Sequence, residues 1–433
     1  MPNRSGDLAD ARQSASVSTG AESGHEPDGF SLWPHLLAMA IVVLLFGSLM
    51  GPLSSNTTLT VAAAVAGLGV LHSLARNGPV AWRTILLAVL VVAIVAFRGY
   101  IEPPSTIYGQ TKLINFCTLT FVTMITAVAV TSGRAVRALA AWWVLVGLVL
   151  AGLAVLGEGG AAGGRAEVEG SNPVWLGRAL AASVVIAVCL GATKCWRWRR
   201  LVLILPVLVA GLLATGSRGP ALATIVGVVV LVLAPTARRS RQVVWLIIFV
   251  TIGLVAGPMI PALSNSRFAQ FISGEVGGEE SRADMWREAL RVIPDHPWGA
   301  GLGNWSGVSM SSFEWPHNIF LEVLVEQGWA VGTALILFVG SVIRRLWRSS
   351  GDDPVLQLAL ALVATETIHV STSGDLNART FFFVLMLGAA LLVKQRIDPE
   401  PQAAPVEDSL QETRQRVSRV SASPRRPAMA RRD

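Results

Sequence analysis

The chain has 433 residues, of which 52% are hydrophobic and only 15% charged, with a formal net charge of +7 at pH 7. Its apolar residues fall in long blocks rather than in the short amphipathic runs of a water-soluble core, which excludes a soluble globular domain and points to an integral membrane protein. Cys117, Cys189 and Cys195 show neither metal-ligand spacing nor a disulfide framework, and read as small buried hydrophobes.

Residues 1–30 are rich in Ser, Gly, Asp and Glu and lack the basic start, apolar centre and cleavage site of a signal peptide, so a disordered cytoplasmic tail is expected. The polytopic domain, residues 31–396, follows. Apolar blocks near 33–50, 57–75, 81–97, 113–131, 138–156, 174–192, 200–215, 219–235, 243–262, 318–343, 355–372 and 380–394 each approach the roughly 17 to 25 residues that cross a bilayer as helix. The fold expected is all-α, with about twelve transmembrane helices. Residues 397–433 turn polar again and predict a disordered, basic cytoplasmic tail. Its Arg425, Arg426, Arg431 and Arg432 suit anionic membrane lipids, and no nucleic-acid role is expected.

Orientation follows from the basic residues of alternate connections, because cytoplasmic loops carry the excess. Arg76 and Arg83, Arg134 and Arg137, the Lys194–Arg200 group, Arg238 to Arg241, and Arg344 to Arg348 fall in every second connection. That pattern places both termini inside the cytoplasmic membrane. It turns the longest connection, residues 263–317, outward, and long loops in compact architectures tend to carry function. Within it, SRADMWREALRVIP predicts a short amphipathic helix: Ser281 and Asp284 give a capping-box pattern, Met285, Trp286, Ala289, Val292 and Ile293 share a face, and Pro294 ends it. Such a helix would lie flat on the membrane surface. The following DHPWGAGLGNWSG reads best as a flexible glycine-rich turn. The sequons at Asn56 and Asn304 are chance matches.

A few basic residues break the positive-inside rule and gather near the outer boundary: Lys112, Arg178, Arg218, Arg282 and Arg379. The planar fork of arginine suits a phosphate, and several such cations at one face would suit a diphosphate headgroup. Pro316 favours a helix start, so His317 and Asn318 are expected in its first turn, where the positive end of the helix dipole and nearby arginines keep the imidazole neutral. Asn318, Glu322 and Glu326 recur every four residues and share a face that must turn inward, where the glutamates would pair with basic residues of neighbouring spans. Glu366 and His369, spaced i, i+3, are expected to be structural partners of an outer arginine.

TGSRGP, SRADMWREAL, HPWGAGLGN and PHNIFLEVLVEQGW, in this order across a long outward loop, resemble the O-antigen ligase and polymerase superfamily of bacterial membrane glycosyltransferases, with confidence over roughly residues 200–345. The resemblance implies a glycosyltransferase type C-like fold. It further implies a lipid-linked oligosaccharide donor on undecaprenyl diphosphate and a hydroxyl acceptor on a glycan, lipid or protein. Carried over, Arg218 and Arg282 would hold the diphosphate and His317 would serve the acceptor, while Lys112, Arg178, Asn318, Glu326 and Arg379 would complete the substrate site. Neither metal nor cofactor is expected, since fixed cations neutralise the leaving group. The competing class is a transporter or flippase for a lipid-linked or anionic glycan; the absence of an evident internal repeat and the gathering of charge at one face weigh against it.

The alternating basic loops predict that a reporter fused after Arg241 is cytoplasmic and one fused near Gly277 is outside, as read by paired phosphatase and fluorescent-protein fusions. The reverse pattern would move the whole outer-arginine set to the wrong side.

Overall fold

The computed structural model describes residues 32–49, 56–156, 166, 172–234, 282–351 and 353–397. The chain divides at residue 33, and the unit from Pro34 onward holds everything below. Both tails, the block at 243–262 and residues 263–281 lie outside the described residues. All elements among the described residues are helical: α1 (Leu32–Phe46), α2 (Asn56–Arg76), α3 (Gly78–Ile101), α4 (Ile107–Asn115), α5 (Phe121–Thr126), α6 (Gly133–Leu156), α7 (Pro173–Ala192), α8 (Trp198–Ala214), α9 (Arg218–Leu233), α10 (Arg282–Val292), α11 (Trp305–Val308), α12 (Ile319–Gln327), α13 (Trp329–Ser349), α14 (Pro354–Ser373) and α15 (Arg379–Ile397). A π-helical stretch, Phe116–Thr120, joins α4 to α5, so that Ile107–Val130 forms one crossing with a local widening.

Eight helices among the described residues are long and apolar enough to cross a membrane, while α1 and α9 are shorter apolar helices. The expected count of twelve is therefore not reached among these residues. The expected span at 318–343 is corrected outright: it is a nine-residue half-helix, α12, followed after Gly328 by the 21-residue α13. At 1.5 Å per residue α13 is roughly 31 Å long and crosses by itself, so α12 is not needed for the crossing. The polar groups of PHNIFLEVLVEQGW thus lie in a segment that precedes the span.

The break has a local cause. Gly328 takes φ 86°, a left-handed value open to glycine, and ends α12. A helix end leaves carbonyls without partners. Here the amides of Ala300 and Gly301 donate to the carbonyls of Val325 and Glu326 at 2.7 and 3.1 Å, and the amide of Trp329 donates to the Pro297 carbonyl at 3.0 Å. The glycine-rich stretch is therefore no flexible turn; a Cβ on Gly299 would come within 2.5 Å of the Glu326 carbonyl oxygen. Helix α10 forms as its periodicity predicts, but its face does not lie on lipid. Ala289 and Val292 pack with Trp305 and Val325 into a small second core over α12.

In the bundle, α9 packs most extensively on α14 and also on α7. Small residues permit this closeness, with Gly227 against Thr365 and Gly147 against Ser183. The connections sort to two ends. At one, Lys394 Nζ donates to the Thr131 carbonyl at 3.1 Å, and Arg137, Thr193, Cys195 and Pro354 line a common small cavity. At the other, Ser217 Oγ donates to the Pro173 carbonyl at 3.2 Å and Ser105 Oγ to Asn304 Oδ1 at 2.7 Å. Cys189 is buried and Cys117 half-buried, whereas Cys195 is exposed, which corrects its reading as a buried hydrophobe.

A Cβ at position 328 would lie 2.6 Å from the Trp298 carbonyl carbon and 2.7 Å from the Pro297 oxygen. Gly328→Ala should destabilise the purified protein by at least the roughly 1–3 kcal/mol of a strained left-handed residue, seen as a lowered thermal midpoint in detergent. Gly340→Ala, within α13 where nothing lies within 4 Å, is the matched control and should hold or slightly raise the midpoint.

Candidate functional site

Asn318 caps α12, its side-chain oxygen accepting from the amides of Phe320 and Leu321 at 3.0 and 3.2 Å. His317 consequently stands one residue before the cap, with φ 53°, and not in the first helical turn as the sequence suggests. The two glutamates of α12 turn inward to Lys112 on α4. Its Nζ lies 2.6 Å from Glu326 Oε2 and pairs also with Glu322, and all three side chains are closed to solvent. The same ammonium sits 5.4 Å from the ring centroid of Tyr108, which stacks on Trp315 at 5.5 Å. Trp315 meets His317 edge to face at 4.9 Å, and Phe313 does so at 5.3 Å. One aromatic column thus joins the buried ion triad to the histidine.

Two arginines, Arg282 and Arg178, lie near enough to act on this histidine. Arg218 opens α9, and its neighbour Gly219 brings the turn close to α10 and α14. A Cβ on Gly219 would lie 3.8 Å from Arg282 Nη1 and 2.7 Å from Thr372 Oγ1. Arg178 Nη2 donates to the His369 carbonyl at 3.3 Å, and Arg379 Nη1 donates to the Leu44 carbonyl at 3.2 Å. Burial first, then the charges of Arg282 and Arg178, hold the His317 imidazole down to about 4, so it is neutral at pH 7. The expected neutrality thus has burial as its first cause, ahead of any helix dipole. Its Nδ1 is buried without a hydrogen-bond partner.

The fold therefore brings His317, Arg178, Arg282 and the turn carrying Arg218 to one end of the bundle. Lys112 and Glu326 are at the same end but enclosed and spent on each other, and Asn318 is engaged as a cap. Glu366 pairs with His369 through Oε1 and Nδ1 at 3.1 Å, next to Arg178. Sequence reasoning missed Tyr108, Trp315 and Asp375. Burial raises the Asp375 carboxyl, while Lys112 and Arg178 pull it the other way. Its position in the connection between α14 and α15, four residues before Arg379, was the available signal.

The polytopic helical bundle, taken with the family match over residues 203–337, supports a class: a membrane glycan-processing enzyme. Residues 203–337 match the family model described as O-Antigen ligase, which supports the resemblance of this stretch to the O-antigen ligase superfamily. The matched stretch contains Arg218, Arg282, His317, Asn318 and Glu326, but not Lys112, Arg178 or Arg379. No curated protein matches the chain.

Removing one partner of a buried ion group strands the others. Lys112→Met should lower stability by roughly 3–5 kcal/mol, and adding Glu322→Gln with Glu326→Gln should restore most of it, as followed by thermal unfolding in one detergent. Equal midpoints for Lys112→Met and the parent would show that the triad does not hold α12 in place.

Proposed function

We propose that the protein transfers or polymerises a glycan from an undecaprenyl-diphosphate donor onto a hydroxyl acceptor, on the outer face of the cytoplasmic membrane. The observation that carries this reading is the half-buried, neutral imidazole of His317, its Nδ1 closed to solvent and the charges of Arg282 and Arg178 acting on it. The acceptor oxygen attacks the anomeric carbon of the donor as its bond to the diphosphate breaks, and the hydroxyl proton passes to the His317 imidazole. Arg218 and Arg282 meet the charge that grows on the departing lipid diphosphate, so they stabilise the transition state more than the bound donor. In this reading no metal is required. Arg178 helps to keep the histidine unprotonated, and the ion triad with its aromatic column sets where the imidazole points.

The broken helix and the buried triad also suit a carrier, because transporters build sites at interrupted helices. A flippase would leave the lipid-linked glycan covalently unchanged, whereas a transferase makes a new glycosidic bond, and mass spectrometry of a reconstituted reaction separates the two.

On purified variants, with a chelator present throughout, Arg218→Lys keeps the charge but loses the bidentate fork and should weaken donor use while retaining some transfer. His317→Ala should keep donor binding and lower turnover by something on the order of 10²- to 10⁴-fold. Because the imidazole is held near 4, turnover of the parent should stay level from pH 7 down to about 5 and decline as the pH approaches 4 and the base becomes protonated. Loss of donor binding by His317→Ala with normal transfer at saturating donor would make the histidine a ligand of the carrier instead.

A further inference from the structure

A second set of buried polar groups, of which the transfer step draws only on the charge of Arg178, lies at the same end of the bundle. A cavity of about 60 Å³ opens between the end of α1, the start of α7 and the turn joining α14 to α15. Its polar wall is Arg178, Glu366, Asp375, Asn377 and Arg379, and Trp175 contributes an apolar face. Glu366 is 1% exposed, and although its Oε1 is engaged by His369, its Oε2 has no partner. Asn377 Oδ1 and Arg178 Nε are likewise buried without partners. Buried polar atoms left unpaired are expensive, so this wall is built to meet something.

The chemistry narrows what that is. Two carboxylates face two guanidinium groups, so the lining is balanced in charge and would not gather a free phosphate as an arginine pair alone would. A bare cation is disfavoured by the arginines, and an apolar group would leave the polar atoms unpaired. A hydroxyl both donates and accepts, which fits two acceptors, Glu366 Oε2 and Asn377 Oδ1, beside one donor, Arg178 Nε. Trp175 is 46% exposed, so its ring is available to the C–H face of a sugar. The volume admits several waters, and hence the hydroxyl-bearing edge of one ring in their place.

We propose that this cavity is a sugar subsite that takes the hydroxyl edge of one pyranose of the glycan. Its assignment to the transfer reaction rests on the proposed function; its binding chemistry does not. The ring could come from the donor glycan or from the acceptor, and these are separated below.

The first arm is independent of transfer. The full chain in lipid nanodiscs, free of sugar-based detergent, is probed by saturation-transfer NMR with a panel of methyl pyranosides and with sodium pyrophosphate as competitor. At least one pyranoside should bind, with affinity lowered about fivefold by Asn377→Ala, the loss expected for one hydrogen bond, and lowered also by Trp175→Ala but little by Trp175→Phe. Binding should persist with pyrophosphate. No signal from any pyranoside, equal signals in parent and Asn377→Ala, or displacement by pyrophosphate would overturn the subsite and leave a cavity filled by water or anion. The second arm measures KM for each substrate in Asn377→Ala and Trp175→Ala. A rise confined to the acceptor assigns the ring to it, a rise confined to the donor assigns it there, and no rise in either overturns the subsite's role in transfer. If pyranosides bind as expected but no variant or parent makes a glycosidic bond, the proposed function fails while the subsite stands. Trp175, half exposed, provides a variant that folds even if Asn377→Ala does not.

Discussion

A helix that stops before its span begins must find partners for its last carbonyls, and much of the end of this protein that carries His317 follows from that need. The partners come from the backbone of residues 297–301, whose amides reach Val325 and Glu326. Only a loop stripped of side chains can come so near, which is why glycine stands at 299 and at 328. With the loop fixed on the break, α10 is drawn over α12 and the small core of Ala289, Val292, Trp305 and Val325 closes between them. The layer over α12 is therefore assembled around an interruption of backbone rather than around a large apolar core.

The same interruption decides where the chemistry sits. Because α12 is short, its cap at Asn318 and the residue before it are placed within the layer, beside the start of α10 and the turn at Ser217 to Gly219. The glutamates of α12 supply the anchorage on the other side by closing on Lys112 of α4. An ion group so enclosed adds little net stability, but it fixes geometry, since any other register of α12 against α4 would leave a charge unpaired in a place without water. Tyr108 and Trp315 carry that registration to the imidazole.

Much of this was readable in the chain. Long apolar blocks gave the helices, and alternating basic loops gave the sorting of connections to two ends. The period of Met285, Ala289 and Val292 gave α10, and the rarity of charge beside membrane marked Lys112, Glu322 and Glu326. What stayed hidden was non-local. Apolar residues dominate from Ile319 through Val339, and the break at Gly328 depends on the amides of Ala300 and Gly301, about twenty-five residues before the carbonyls they reach. The glycines of that loop look like flexibility in one dimension and are close packing in three. Tyr108 and Trp315 carry no spacing signal at all, because each acts through a neighbour far away in sequence.

The π-helical stretch at Phe116–Thr120 bears on how α4 keeps its facing. A π segment is in effect one extra residue accommodated within an α-helix. Each residue of an α-helix turns the chain by about 100°, and the wider π turn takes up the extra residue so that α4 keeps its facing against α5. The same sequence run as plain α-helix would rotate Lys112 away from Glu322 and Glu326, and Tyr108 away from Trp315, by about that angle. Hydropathy and composition carry no trace of the difference. The position of the site is in this sense kept by the width of one turn in an unremarkable apolar stretch.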